Sequence, residues 1–272
     1  MLHNLVRLTR YRGLIQSLVA RELKARYRGS VLGFFWSFVN PLLLLLVYSF
    51  IFSFVMPQAH DARIEPYALF MFCGILPWTW FSSSLNESAS VLISSGNLIK
   101  KVLFPAEILP IVTVLANMVH FFFGLIILAG FLVWYQRPQD IVELSMFPVT
   151  VAVQLVLTLG FALLLSALSV HFRDIRDILS NLLTFWFFAT PIIYPYFIFQ
   201  DPKDPTHVVW QASLLKLNPF THLAIMYQEI LFFGGPQGHF KWVLVLGAVS
   251  VVFFLFAYFV FDRLRDTFAE EV

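Results

Sequence analysis

Charge is what this sequence lacks most. Only 12% of its 272 residues are Asp, Glu, Lys or Arg and 59% are hydrophobic, where a soluble domain carries about 25% charge. The deficit is concentrated in six runs that contain no charged residue at all: between Arg28 and Asp61, Pro66 to Asn86, Ile108 to Gln136, Leu144 to Phe172, Ile178 to Gln200, and Trp242 to Phe261. About 20 helical residues cross about 30 Å of hydrocarbon, so each run is long enough to span a bilayer. Too little polar chain is left over for a separate soluble module.

Other absences narrow the function. Cys73 is the only cysteine and sits inside the second run, which excludes a disulfide within the chain and leaves the redox compartment unmarked. The first apolar run is far longer than the core of a secretory signal, so the N-terminus is expected to stay attached. There is no G-x-x-x-x-G-K-[ST] loop, so the chain cannot cradle nucleotide phosphates in the P-loop manner. A gradient-driven carrier would place ionisable residues at mid-membrane. The runs hold no Asp, Glu, Lys or Arg, and His120 is the one imidazole well inside a span, read as a packing residue rather than a proton relay.

The charges that are present sort by side. Arg7, Arg10, Arg12, Arg21, Lys24, Arg26, Arg28, Lys100, Lys101, Arg173, Arg176, Arg263 and Arg265 fall on one side of a six-span thread. Arg63, Arg137, Lys203, Lys216 and Lys241 fall on the other. Positive residues accumulate in cytoplasmic loops, which predicts both termini inside. The expected fold is therefore all-α and integral to the membrane, with six transmembrane helices.

Arg21, Lys24, Arg26 and Arg28 form a cationic collar directly before the first run. Upstream, Tyr11, Leu14, Ile15, Leu18 and Ala25 share one helical stripe, interrupted by Glu22, with cations on its flanks. That pattern predicts an amphipathic helix in the cytoplasmic interface, and Gly29 and Gly33 offer turns toward the membrane. The cations are either topological anchors or a joint site for an anionic head, since arginine presents a fork of donors matched to phosphate. Pro41 is expected to kink the first span.

Two connections stand out. Residues 86–107 combine serines around Val91, Leu92 and Ile93 with a helix stop at Gly96 and Asn97. Leu98, Ile99, Lys100, Lys101 and Phe104 follow, a mixed apolar and cationic knob. Residues 201–240 are too long for a simple connection and too apolar for a solvated loop. Their two short helices, broken at Asn218 and Pro219 and ended by Gly234 and Gly235, suggest a re-entrant external hairpin or a surface-lying cap. His171, Asp174 and Asp177 are the nearest approach to a metal or acid–base cluster, but Arg173 and Arg176 beside them count against one.

Three stretches carry a family resemblance: RELKARYRGSVLGFFWSFVNPL (21–42), NLIKKVLFPAEILP (97–110) and HFRDIRDI (171–178). In order and spacing they resemble membrane subunits of bacterial ABC exporters for cell-surface polysaccharides, of the ABC type-2 class, and the O-antigen and teichoic-acid branch more than the capsule branch. The resemblance implies a non-enzymatic permease in the bacterial inner membrane. It further implies a homodimer, two copies of a cytoplasmic ABC ATPase that carry the ATP and Mg, a polyprenyl-pyrophosphate-linked glycan as cargo, and no nucleic-acid partner. The resulting domain plan is a cytoplasmic arm over 1–30, a permease domain over 31–262 with 86–107 as coupling segment and 201–240 as external gate, and a tail over 263–272.

Within that frame, Arg21, Arg26 and Arg28 are the candidates for holding a pyrophosphate. Trp36, Phe185, Trp186, Phe188, Tyr194 and Tyr196 are the candidates for lining a conduit in which a sugar chain slides. Aromatics make up 18% of the chain, with 32 Phe, and most of them must serve lipid contact or packing instead. An ABC type-2 permease for a drug or lipid is the alternative; a multispanning transferase using His171 and Asp174 is a third.

Overall fold

The computed structural model describes residues 11–55, 62–96, 105–137, 141–172, 174–199, 210–234 and 238–271. Every regular element among them is helical. We number the α-helices α1 Arg12–Arg26, α2 Trp36–Phe50, α3 Tyr67–Ser94, α4 Ile108–Trp134, α5 Ile141–Ser145, α6 Phe147–His171, α7 Ile175–Phe188, α8 Trp210–Leu217, α9 Pro219–Gln228, α10 Phe240–Leu264 and α11 Phe268–Glu271.

Helices α3, α4, α6 and α10 are long and apolar enough to cross a membrane, α6 together with the short α5 before it. They correspond to the second, third, fourth and sixth uncharged runs. The first run forms a 15-residue helix that continues through Pro41 and is extended by a π-turn over Ile51–Val55. The fifth run differs more from expectation. Its helix α7 has 14 residues, about 21 Å at 1.5 Å per residue, and stops at Phe188. Beyond it Thr190, Pro191 and Ile192 are buried in non-helical chain. Pro191 and Pro195 cannot donate to a continuing helix, which the apolar content of the run conceals.

Helix α3 is the centre of the bundle. Nearly all of its side chains from Tyr67 to Phe81 are buried, and it packs against α2, α4, α6, α7 and α9. It runs unbroken to Ser94, so the serine-rich stretch read from sequence as a separate short helix prolongs the second span. Ser84, Ser90 and Ser94 return their hydroxyls to carbonyls of the preceding turn, so they cost the helix no unpaired polar group.

Small residues set how closely the helices approach. A Cβ on Gly160 of α6 would lie 2.8 Å from the Phe253 ring and 3.3 Å from the Phe254 Cα on α10. Backbone contact of this kind is how helices associate where lipid is as apolar as the side chains.

The bundle has two distinguishable ends. At one, the last turns of α3, α6 and α10 and the start of α4 gather around Leu92, Leu109, Val170 and Phe261, and α1 lies against the start of α4 through Leu18, Ile108 and Val112. Arg26, Arg176, Arg263 and Arg265 belong to this basic end. At the other, the Tyr67 hydroxyl donates to the Ile193 carbonyl and Arg137 lies 4.4 Å over the Phe232 ring.

Gly160→Val should drive a wedge between α6 and α10, at a cost of about 1–3 kcal/mol. Gly130→Val, where nothing lies within 4 Å, should leave the thermal midpoint of the purified protein unchanged. Equal midpoints for the two variants would refute the close-approach account.

Candidate functional site

The collar residues do not act alike. Arg26 spreads its fork between two acceptors, Nη2 donating to Glu87 Oε2 at 2.8 Å and Nη1 to Asn117 Oδ1 at 3.0 Å. Asn117 closes the triangle by donating Nδ2 to the same Glu87 oxygen at 2.7 Å. Three helices, α1, α3 and α4, are thereby tied at one point. Arg21 and Arg28 are exposed and make no such pair among the described residues. The chain then turns at Gly29 and Gly33, both with left-handed φ of 81° and 50°, a conformation open to glycine at little cost.

Above this triangle lies a cavity of about 430 Å³, floored by Leu44, Leu76 and Phe121 and rimmed by Arg26, Trp36 and His120. Trp36 donates its indole N–H to Ser30 Oγ at 3.0 Å. His120 Nδ1 is 3.5 Å from the Tyr27 hydroxyl, and its Nε2 is buried without a partner among the described residues. The lining mixes apolar side chains with polar ones, Ser37 and Asn117 among the buried members, the composition of a pocket for an amphiphile.

The aromatic candidates separate. Phe185 and Phe188 are exposed on α7 at 71% and 59%. Trp186 turns inward, edge-on to Trp78 and Phe81. Tyr194 donates to the Phe188 carbonyl at 3.0 Å, and Tyr196 sits at the end opposite Trp36. They share no single surface within one chain.

What Trp186 does instead is anchor the start of α9. Its indole N–H reaches Asn218 Oδ1 at 2.7 Å, and the same oxygen accepts the Phe220 amide at 2.9 Å as the cap of α9. The Asn218 amide nitrogen donates to the Ala189 carbonyl at 3.1 Å and to Thr190 Oγ1 at 2.9 Å. All four hydrogen-bonding positions of this side chain are filled. Pro219 then begins α9, and Gly234, φ 60°, ends the π-turn Glu229–Phe233 that follows it, so the punctuation read from the sequence is where the chain turns. Phe220 packs on Trp78 at 4.9 Å and Phe81 at 5.0 Å, which carries α9 deep against α3.

The outer face of α7 is the remaining anomaly. Leu179 and Leu183 pack inward, while Ile178, Leu182 and Phe185 form one exposed stripe and Asp177, Ser180, Asn181 and Thr184 form another beside it. Asn181 Nδ2 and Thr184 Oγ1 bond back to their own helix.

Residues 13–232 match the family described as ABC-2 type transporter. The chain belongs to that family. It is similar to the O-antigen export system permease protein RfbA of Myxococcus xanthus, 43% identical over 266 residues covering 97% of both chains. A namesake from Klebsiella pneumoniae is 29% identical over 94% of both. The polysialic acid transport protein KpsM of Escherichia coli is 24% identical over 79% of this chain and 80% of its own.

As an ABC-2 protein the chain is a transport subunit, and its polar groups are to be read for holding and passing cargo. His171 Nδ1 is 3.2 Å from the Ala167 carbonyl and Nε2 3.0 Å from Thr267 Oγ1, which ties α6 to the turn before α11. Leu98, Ile99, Lys100, Lys101 and Phe104, the expected knob, lie outside the described residues. Sequence reasoning missed Glu87 and Asn117 as partners of Arg26. A polar residue inside an apolar run was the available signal for Asn117.

Asn218→Leu should leave the Trp186 indole N–H and the Phe220 amide without their acceptor, destabilising the start of α9 by about 2–4 kcal/mol. Amide exchange across 219–233 should accelerate while that of α6 and α10 holds. Uniform acceleration, or none, would sink the hub.

Proposed function

We propose that the chain is the membrane subunit of an ATP-driven exporter that moves a polyprenyl-pyrophosphate-linked cell-surface polysaccharide, O-antigen-like or teichoic-acid-like, across the bacterial cytoplasmic membrane. In this reading it crosses the membrane six times, α2 and α7 being the two short crossings, with both termini and the basic end cytoplasmic. Two copies form the pathway and bind two copies of a nucleotide-binding ATPase. The RfbA relative, matched over nearly its whole length, supports the cargo class.

The observation that carries the reading is the outer face of α7. Lipid cannot hydrate Ser180, Asn181 and Thr184, and polar groups left in hydrocarbon cost free energy. A second copy facing this stripe would enclose a water-lined path, with Phe185 and Phe188 at its edge. Such a surface suits a glycan: hydroxyls exchange among polar side chains, while aromatic faces hold sugar rings without a deep trap.

At the cytoplasmic mouth, Arg21 and Arg28 are the free forks for a pyrophosphate, and the 430 Å³ cavity offers apolar surface to the first lipid units. Arg26, engaged by Glu87 and Asn117, holds α1 in place for them. In this reading the coupling segment over 86–107, with Leu98, Ile99, Lys100, Lys101 and Phe104, and α1 meet the ATPase.

The test is reconstitution with the partner ATPase in proteoliposomes, measuring ATP hydrolysis and glycan translocation. Lipid-linked glycan should stimulate hydrolysis, and Asn181→Leu with Thr184→Leu should cut translocation at least about tenfold with assembly intact. Unstimulated hydrolysis and unaltered translocation would refute the pathway. Reversing Lys100 and Lys101 to Glu should abolish translocation while the permease still inserts; full activity in that variant would remove the coupling assignment.

A further inference from the structure

A second cavity, of about 210 Å³, lies wholly within one chain at the end opposite the basic collar, between the turn Tyr196–Phe199 and the close of the hairpin. Its walls are of two kinds. Phe197 and Phe233 supply apolar surface; Tyr196, Gln228, Glu229 and His239 supply polar groups. Folding has taken the polar members out of solvent, for Gln228 and Glu229 are each 2% exposed.

Those polar groups keep unused capacity, which is costly in a buried place unless something occupies it. The Tyr196 hydroxyl is buried and has no partner among the described residues. Gln228 donates its Nε2 to the Pro191 carbonyl at 2.9 Å, which leaves the amide oxygen turned to other use. Burial pushes the Glu229 carboxyl up to about 8, against the backbone N–H of His239 that pulls the other way and with Glu143 adding to the rise. At neutral pH it therefore holds its proton, so it can donate as well as accept and is a poor ligand for a cation.

The back wall is fixed. His222 Nδ1 meets His239 Nε2 at 2.9 Å, His222 Nε2 meets the Lys216 carbonyl at 2.9 Å, and His222 stacks on Trp242 at 5.6 Å. On the other side the Arg63 guanidinium lies 4.0 Å over the Phe197 ring. The volume equals about seven waters at their share of the liquid, room for one sugar ring.

We propose that this cavity binds a single saccharide unit, its hydroxyls on Tyr196, Gln228 and Glu229 and its C–H face on the aromatic wall. A purely apolar occupant would leave the Tyr196 hydroxyl without a partner among the described residues. The inference rests on the export reading and deepens it. The occupant is a sugar of the exported chain, held at the outer end by the same hairpin that Asn218 anchors, so cargo and the hairpin's position are linked there.

The experiment uses the permease with its ATPase in nanodiscs and free glucose, galactose, rhamnose and N-acetylglucosamine as probes, read by saturation-transfer NMR. Transfer to at least one sugar is expected, with binding on the order of millimolar. Tyr196→Phe, which removes only the unpartnered hydroxyl, should weaken it about tenfold, the worth of one hydrogen bond. Ile225→Phe, which fills the space, should abolish it, with the permease–ATPase complex still assembled in both. No transfer to any of the four sugars, or equal transfer to wild type and both variants, overturns the site. Surface-glycan staining of cells lacking the gene separates the two claims. Staining lost on deletion with blank NMR removes this pocket alone, whereas staining that persists removes the export reading.

Discussion

Inside an apolar surround a polar group must find its partner within the protein, and this chain is organised by the few places where that demand is met by several groups at once. Asn218 fills all four of its hydrogen-bonding positions across α7, the chain after it and α9. Arg26, Glu87 and Asn117 close a triangle across α1, α3 and α4. These hubs hold the parts that hydrophobic packing cannot specify. The long helices could slide or rotate against one another at small cost, but a four-way hydrogen bond fixes one register. Both hubs also lie against α3, whose buried face is shared by nearly every other element.

What the sequence disclosed follows from what is local in it. Uncharged length marks α3, α4, α6 and α10, because the cost of a charge in hydrocarbon acts residue by residue. Asn218-Pro219 and Gly234 mark the hairpin, because capping and left-handed turns are properties of single residues and their neighbours. Concealed features are the ones that depend on distant chain. Trp186 looks like any interfacial aromatic until Asn218, 32 residues later, is set against it. Arg26 looks like an anchor until Glu87 and Asn117, 61 and 91 residues away, take its fork. The fifth run is a third case. Hydropathy counts Thr190 to Phe199 as span, while prolines and the buried carbonyls taken by Asn218, Gln228 and Tyr67 make that stretch irregular chain.

The distribution of cavities bears on how such a subunit handles cargo. One lies at the basic end beside Trp36 and His120; the other lies at the far end beside Tyr196 and Glu229. Between them α3 presents a nearly dry, aromatic interior in which Trp78, Phe81, Phe161 and Trp186 interlock edge to face. Close-packed rings of this kind leave no route through one chain. A polymer path must therefore run outside the packed core, along faces that a single copy leaves open.

That argument selects α2 and α7. They are the least enclosed of the bundle helices: α2 exposes Leu42, Leu43, Leu46 and Val47, and α7 exposes both its apolar and its polar stripe. Lipid can cover the first kind of surface indefinitely, so α2 alone demands nothing further. The polar stripe of α7 is different, since Asn181 and Thr184 satisfy only part of their capacity on their own helix. It needs water or hydroxyls opposite it, and in the proposed reading a second copy of the chain would enclose a path in which water and the hydroxyls of the cargo meet that need. In the proposed export reading, the residues that would be a defect in a lipid-facing monomer are a reason for two copies to meet at this stripe.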